Sequence, residues 1–182
     1  MIGAHDPGGK VRIRNAHDVR GEAWFSPCGR HRLALARTWV EQPRRWLLWI
    51  GMNPSVADAE VDDPTVQREV SRTRALGYDG LLKGNVMDYR ATHPRDLRQP
   101  GVVPNSAENH PTLLALARLS EAVVLAHGNL PAALRGYAPT LTDALAAEGH
   151  TLLCLGQNAD GSPKHPLYVA LAQPLRPYQR AA

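Results

Sequence analysis

Short apolar runs and helix-forming segments alternate along the chain. Four runs have the length of a strand, at residues 45–52, 80–88, 121–128 and 150–156. Helical patterns follow the first three runs, at residues 63–77, 111–120, 130–136 and 140–149. A hairpin over residues 23–40, which turns at Pro27, Cys28 and Gly29, comes before the first of these strands.

This order of elements predicts an α/β fold. We expect a three-layer sandwich with a central, mostly parallel four-stranded sheet and an added N-terminal hairpin. The length of 182 residues suits one domain. We place that single domain at residues 21–182, after a flexible N-terminal extension at residues 1–20.

In a parallel sheet the ligand binds beyond the carboxyl ends of the strands. The four predicted strands lead into loops that begin at Gly51, Asn85, His127 and Gly156. Each loop continues with polar residues that a simple connection does not require. We therefore expect these four loops to meet and form one site.

Composition narrows the classes of partner and cofactor. The chain lacks an apolar run long enough for a membrane span or a secretory signal, so we expect a cytoplasmic protein without a membrane partner. Cys28 and Cys154 lie far apart in the sequence, and we expect both to be packing residues rather than metal ligands. No pair of histidines has the spacing of a chelating motif. We therefore predict no metal and no cofactor.

The net charge of +4 comes mainly from arginines in the first half of the chain. Guanidinium groups bind phosphate well, which favours a polyanionic partner such as DNA. A solvated surface of arginines is the equally simple alternative. Composition alone leaves both interpretations open.

Four motifs stand in a fixed order on the predicted elements: "FSPCGR", "GMNPS" followed by "DDPT", "YRAT" and "HPLY". Of these, "GMNP" at the end of the first strand and the late "HPLY" loop resemble two motifs of the uracil-DNA glycosylase superfamily, and the resemblance covers about residues 23–170. The whole pattern is more similar still to an uncharacterised domain family of bacteria and phages. The superfamily resemblance implies that the chain is an enzyme with a uracil-DNA glycosylase-like fold.

The superfamily resemblance implies catalytic roles for three residues. Asn53 would accept a hydrogen bond from the attacking water, and His165 would donate one to an oxygen of the departing base. Because an amide is a weak base, a carboxylate is expected to assist, and Asp62 is the first candidate. Asp58 and Asp63 are the alternatives.

The resemblance also implies a base pocket and a DNA surface. Asn85 would read the edge of a flipped base. The other predicted pocket residues are Gly51, Met52, Pro54, Ser55, Tyr89 and Tyr168. The predicted DNA contacts are Arg90, Arg95 and Lys164. Tyr168 or Val169 would wedge into the base stack.

Ser55 narrows the expected substrate. Superfamily members strict for uracil carry a tyrosine at this place, which blocks groups on C5 of the pyrimidine. The small Ser55 implies room for a C5 substituent. The expected substrate is therefore a modified pyrimidine, such as the hydroxymethylated or glucosylated cytosine of phage DNA.

Several of these residues have ordinary structural explanations. Asn-Pro commonly begins a turn, which would account for Asn53. Asp63 before Pro64 suits a helix N-cap. His127 would be a hydrogen-bonded core histidine, and His165 an exposed loop residue.

The sequence therefore predicts a monomeric, monofunctional DNA glycosylase that leaves an abasic site. Lysine-based strand cleavage is not expected. An N-glycosidase acting on free nucleosides or nucleotides is one alternative. A catalytically inactive module that binds modified DNA is the other.

Overall fold

The computed structural model describes residues 5–8 and 11–180. Its strands are β1 Ile13–Arg14, β2 Arg20–Phe25, β3 Arg32–Thr38, β4 Trp46–Gly51, β5 Val61–Asp62, β6 Gly80–Asn85, β7 Ala122–Leu125, β8 Leu152–Cys154 and β9 Arg176–Pro177. Its α-helices are α1 Pro64–Ala75, α2 Asn109–Arg118 and α3 Tyr137–Ala147. Three short 3-10 turns lie at Pro94–Arg98, Ala132–Leu134 and Pro166–Tyr168.

The main sheet has seven strands in the order β2-β3-β6-β4-β7-β8-β9. The four central strands, β6, β4, β7 and β8, run parallel to one another. They correspond to the four predicted strands, and the mixed α/β class is confirmed. The predicted number of four strands is wrong, because the sheet continues beyond this core on both sides.

Long-range pairing accounts for the extra strands. The predicted hairpin forms β2 and β3, and β3 pairs antiparallel with β6, with Leu35 opposite Lys83. At the far edge, Cys154 of β8 pairs with Arg176 of β9. The hairpin is thus part of the main sheet rather than an addition to it.

Hydrophobic side chains cover both faces of the central strands. Alternate residues of β4 point to opposite faces: Leu48 and Ile50 join a core with α2 and α3, while Leu47 and Trp49 join another. Helix α1 lies on the second face, where Thr73 accepts a hydrogen bond from the Trp49 indole at 2.9 Å. Burial on both faces explains why β4 is apolar throughout.

Helix α1 begins where the sequence predicts. Asp63 is its N-cap, and Oδ1 accepts hydrogen bonds from the backbone N–H groups of Thr65 at 2.9 Å and Val66 at 3.0 Å. Pro64 occupies the first helical position. The helix ends before Gly77, whose φ of 78° suits glycine.

The predicted flexible extension at residues 1–20 falls partly outside the described residues. In its described part, Ile13 of β1 pairs with Asp62 of β5. The His5 ring also forms a hydrogen bond with the backbone oxygen of Arg90 at 2.9 Å. Of the two cysteines, Cys154 is buried as expected, whereas Cys28 is exposed in the hairpin turn.

In the part of the chain that the structure describes, no helix is both long and apolar enough to cross a lipid bilayer.

Candidate functional site

A cleft of about 660 Å³ opens at the carboxyl ends of the parallel strands. All four predicted loops contribute to its lining. Gly51 and Asn85 come from the first two loops, His127 from the third, and Asn158 and His165 from the fourth. The expected meeting of the loops is therefore observed.

The cleft separates the predicted site residues into two groups. Those that line it are Gly51, Met52, Asn53, Ser55, Asn85, Lys164, His165 and Tyr168. Those that do not line it are Pro54, Asp62, Tyr89, Arg90 and Arg95. Lining residues to which the sequence interpretation gave no binding role include Arg32, Lys83, Asn129 and Asn158.

Asn53 is held by its amide nitrogen. Nδ2 donates to the backbone oxygens of Ala91 at 2.7 Å and Pro54 at 3.0 Å. These two bonds use both amide hydrogens. The side-chain oxygen Oδ1 is therefore the polar group that Asn53 offers to a ligand, and it can only accept.

His165 lies at the start of the 3-10 turn Pro166–Tyr168. Its Nδ1 accepts a hydrogen bond from the Leu167 N–H at 3.3 Å. In the neutral ring the proton is then on Nε2, which makes that atom a donor. Gly128 faces this residue, and a Cβ there would lie 3.3 Å from the His165 Cβ.

Asn85 is oriented by Arg32, a residue that the sequence interpretation missed. Arg32 is fully buried and donates from Nη2 to Asn85 Oδ1 at 3.3 Å and from Nη1 to the Ala57 oxygen at 2.8 Å. Burial lowers the pKa of Arg32 to about 10, which the charge of Asp63 opposes. The guanidinium therefore remains charged at neutral pH.

A buried ion pair lies at the floor of the cleft. Lys83 Nζ donates to Glu69 Oε1 at 2.7 Å, and the two residues are only 3% and 0% exposed. Burial raises the pKa of Glu69, and the charge of Lys83 opposes this effect. A charged residue inside the apolar run "GLLKGN" is the sequence signal that could have identified Lys83.

The three candidate carboxylates have different environments. Asp62 is buried against Arg37, with Oδ1 2.8 Å from Nη2 and 2.9 Å from Nε. The prediction that Asp62 is the carboxylate of the cleft is therefore not met, because Asp63 lines the cleft instead. Asp58 accepts backbone hydrogen bonds from Glu60 and Val61 in a tight turn. Asp63 caps α1 and also lines the cleft.

Burial raises the pKa of Asp62, and the nearby Arg37 opposes this effect. The pairing explains why Asp62 does not reach the cleft, because its side chain points towards Arg37 of β3. The sequence interpretation gave Asp63 a capping role and kept it as an alternative to Asp62 for the assisting carboxylate. In the structure it serves the helix and the cleft wall together.

The residues outside the cleft have local partners. Arg90 donates to the backbone oxygens of His5 and Gly29, and its guanidinium lies 4.9 Å from the centre of the Phe25 ring. Burial lowers the pKa of Arg90. Tyr89 contacts the rings of His5 and His31, each at 5.4 Å between centroids.

Pro54 and Arg95 also lie away from the cleft lining. Pro54 is buried, and its backbone oxygen accepts from the Ala91 N–H at 2.9 Å as well as from Asn53. Arg95 belongs to the exposed turn Pro94–Arg98, with its Nε 3.8 Å from Asp96.

The rim of the cleft carries two exposed apolar side chains. Tyr168 is 87% exposed and Leu167 is 42% exposed. Helix α1 holds the segment that follows, because Arg68 donates to the Val169 oxygen and Arg72 donates to the Leu171 oxygen. The helix thereby fixes the His165 turn over the cleft.

His127 is buried in the cleft wall. Its Nδ1 lies 2.7 Å from the Gly128 oxygen, a contact that requires the proton on Nδ1. Burial lowers the pKa of His127, although the Gly128 carbonyl opposes the shift. The ring is therefore neutral at pH 7, with Nε2 as a hydrogen-bond acceptor.

Within residues 5–8 and 11–180, no three His, Cys, Asp or Glu side chains form a group that could hold a metal ion.

Comparison with known proteins gives one match, to a protein family. No curated protein and no solved structure matches the chain. The family model spans β3 to the His165 turn and therefore includes every strand that borders the cleft floor. By this match to residues 32–167, the chain belongs to DUF1643, a family described as protein of unknown function.

Proposed function

We propose that the protein is a DNA glycosylase that hydrolyses the N-glycosidic bond of a C5-modified pyrimidine. The observation that carries this proposal is the meeting of Asn53, Asn85 and His165 in one cleft. Asn53 presents an acceptor, and Asn85 presents its amide N–H groups. His165 accepts from the Leu167 N–H at Nδ1, so that Nε2 is the donor of a neutral ring.

In the proposed reaction Asn53 acts at the sugar and His165 acts at the base. Asn53 Oδ1 orients a water molecule, whose oxygen forms a bond to C1′ as the bond from C1′ to the base breaks. The electron pair of that bond moves onto the base, where His165 donates a hydrogen bond to a carbonyl oxygen. Asp63 is the carboxylate of the cleft and takes the proton of the water.

Helices cover both faces of the parallel strands. Helices α2 and α3 pack on one face of the parallel strands and α1 packs on the other. This arrangement supports a three-layer, uracil-DNA glycosylase-like sandwich. The seven-stranded sheet would then contain the four-stranded centre of that fold.

Ser55 supports a polar substituent on the base. Its hydroxyl is buried, with the residue 4% exposed, and it makes no hydrogen bond to any described residue. A buried hydroxyl without a partner costs about 1–3 kcal/mol. A hydroxymethylated or glucosylated cytosine would supply the missing partner, and defence against phages that carry such bases is the role this substrate implies.

The test is base release, measured by mass spectrometry on DNA containing uracil, a thymine mismatch, hydroxymethylcytosine or its glucosylated form. We expect release of one base, reduced at least about a hundredfold by Asn53→Ala. Asn105→Ala outside the cleft is the matched control. Equal rates for the parent and the Asn53 variant would contradict the proposed role of Asn53.

One observation favours a second candidate, an N-glycosidase of free nucleosides or nucleotides. Several arginines that could have bound DNA donate to backbone oxygens within the protein instead, among them Arg32, Arg37, Arg68, Arg72 and Arg90. Salt dependence separates the two substrates. DNA affinity should fall steeply with salt, with a logarithmic slope of about 0.9 per phosphate neutralised.

A further inference from the structure

Three residues at the floor of the cleft are neighbours across two strands. Lys83 and Asn85 lie two positions apart on β6, so their side chains leave the same face of the sheet. Gly51 lies opposite Asn85 in the parallel pair of β4 and β6. The Gly51 position therefore has no side chain where the other two meet.

The bare Gly51 position lies between two hydrogen-bond donors. A Cβ built there would stand 2.7 Å from Asn85 Nδ2 and 3.0 Å from Lys83 Nζ. Both donors therefore approach the same side of Gly51. The absence of a side chain there allows this approach, and we call the group of Gly51, Lys83 and Asn85 the donor cradle.

The cradle has more hydrogen-bond donors than it has acceptors within the described part of the protein. The Lys83 ammonium has three N–H groups, and Glu69 Oε1 is its acceptor among the described residues. Arg32 already occupies the oxygen of Asn85, which leaves the Asn85 amide hydrogens for another partner. Among the described residues, no acceptor receives a hydrogen bond from Asn85 Nδ2.

Glu69 is the ion-pair partner of the amine. Its Oε1 lies 2.7 Å from Nζ, and both residues are buried. A protonated lysine is a donor and an electrostatic partner, whereas a nucleophilic lysine must be neutral. The pair therefore favours the binding of a negatively charged oxygen over covalent chemistry.

We propose that the donor cradle binds a negatively charged oxygen and that Lys83 is a catalytic residue. This inference rests on the proposed function for the identity of that oxygen, which is a ring carbonyl oxygen of the departing pyrimidine. The breaking bond delivers its electron pair to the base, and part of the charge collects on that oxygen. Lys83 acts as a hydrogen-bond donor and electrostatic partner, and Glu69 is a positioning residue.

The experiment measures binding of two free pyrimidines by titration at neutral pH. One is 5-nitrouracil, whose ring is an anion at this pH, and the other is neutral thymine. The double variant Lys83→Met/Glu69→Leu removes both charges together, so that no buried charge is left unpaired. We expect it to bind the anion about tenfold more weakly or worse, with thymine binding unchanged.

A glycine variant tests whether the cradle needs a residue without a side chain at position 51. Gly51→Ala puts a methyl group between the two donors and should weaken binding of the anion to a similar extent. Gly136→Ala is the control, because a Cβ there meets no atom within 4 Å. Circular dichroism establishes that each variant is folded before its affinity is compared with that of the parent.

The outcomes separate the cradle from the glycosylase proposal. Anion binding that depends on Lys83, without base release from any DNA, would retain the cradle and overturn the proposed function. Base release at the parent rate by the double variant would overturn the cradle and retain the glycosylase. Equal anion affinity in parent and double variant also overturns the cradle, as does trapping of a covalent Lys83–DNA adduct with borohydride.

Discussion

Two buried ion pairs lie on the same side of the sheet, and they differ in how completely they are satisfied. Arg37 of β3 pairs with Asp62, and its guanidinium also donates to the backbone oxygens of Ala36, Asp58 and Val61. Lys83 of β6 pairs with Glu69, whose second oxygen Oε2 has no partner among the described residues.

This difference follows the position of each pair relative to the cleft. Arg37 ties the loop at residues 58–62 to the edge of the sheet and does not line the cavity. Lys83 lines the cavity with donors to spare. The Arg37–Asp62 pair, whose hydrogen-bonding groups have partners, is explained by the loop that it holds to the sheet. The Lys83–Glu69 pair has groups without a protein partner beside a cavity, which points to a partner from outside the protein.

The largest expected effect on stability comes from breaking the Arg37–Asp62 pair. Asp62→Ala should lower the free energy of unfolding by about 3–5 kcal/mol, because it leaves the Arg37 charge buried without its partner. Urea denaturation followed by circular dichroism measures this loss. A variant of normal stability that has lost base release would instead return Asp62 to the catalytic role first predicted for it.

Replacing both members of the Lys83–Glu69 pair by apolar residues should have a much smaller effect on stability. Lys83→Met/Glu69→Leu should leave the free energy of unfolding within about 1 kcal/mol of the parent or raise it, since apolar replacements of buried pairs are often neutral or stabilising. The same urea titration measures it. A loss as large as that of Asp62→Ala would mean that both pairs serve stability alike.

The smallest effect concerns His127, a buried titratable group of the cleft wall. Its folded pKa is lowered by burial below the ordinary value of 6.5. Its contribution to stability is therefore present above about pH 6.5 and is lost as the pH falls towards the folded pKa. The parent should lose stability over this range relative to His127→Gln.

Thermal unfolding at a series of pH values measures this difference between the parent and the His127 variant. Parallel pH profiles would show that His127 does not change its protonation on unfolding. Because the comparison is between two proteins that share all other titratable groups, their contributions cancel to first order.

The parallel strands and the start of α1 could be predicted because their causes are local. The run at β4 is apolar at every position, and Asp63-Pro64 combines a capping oxygen with a residue suited to the first turn. The meeting of the loops followed from strand direction. Once the strands are parallel, their carboxyl ends share one edge.

The partners of the charged residues could not be predicted in this way. Asp62 and Asp63 are adjacent in sequence, yet one pairs with Arg37 on another strand and the other reaches the cleft. Arg90 was assigned to DNA, but it contacts Phe25 and the backbone of His5. These contacts join segments that are distant in the chain and leave no periodic pattern in the sequence.

The sequence by itself determined the alternation of strands and helices, the cap of α1 and the loops that form the cleft, because propensity and periodicity act over a few residues. The tertiary structure alone decided the seven-stranded sheet, the separation of Asp62 from Asp63 and the convergence of Lys83 and Asn85 over Gly51. Burial of a charge is stable only with a partner, and folding brings that partner from a distant part of the chain.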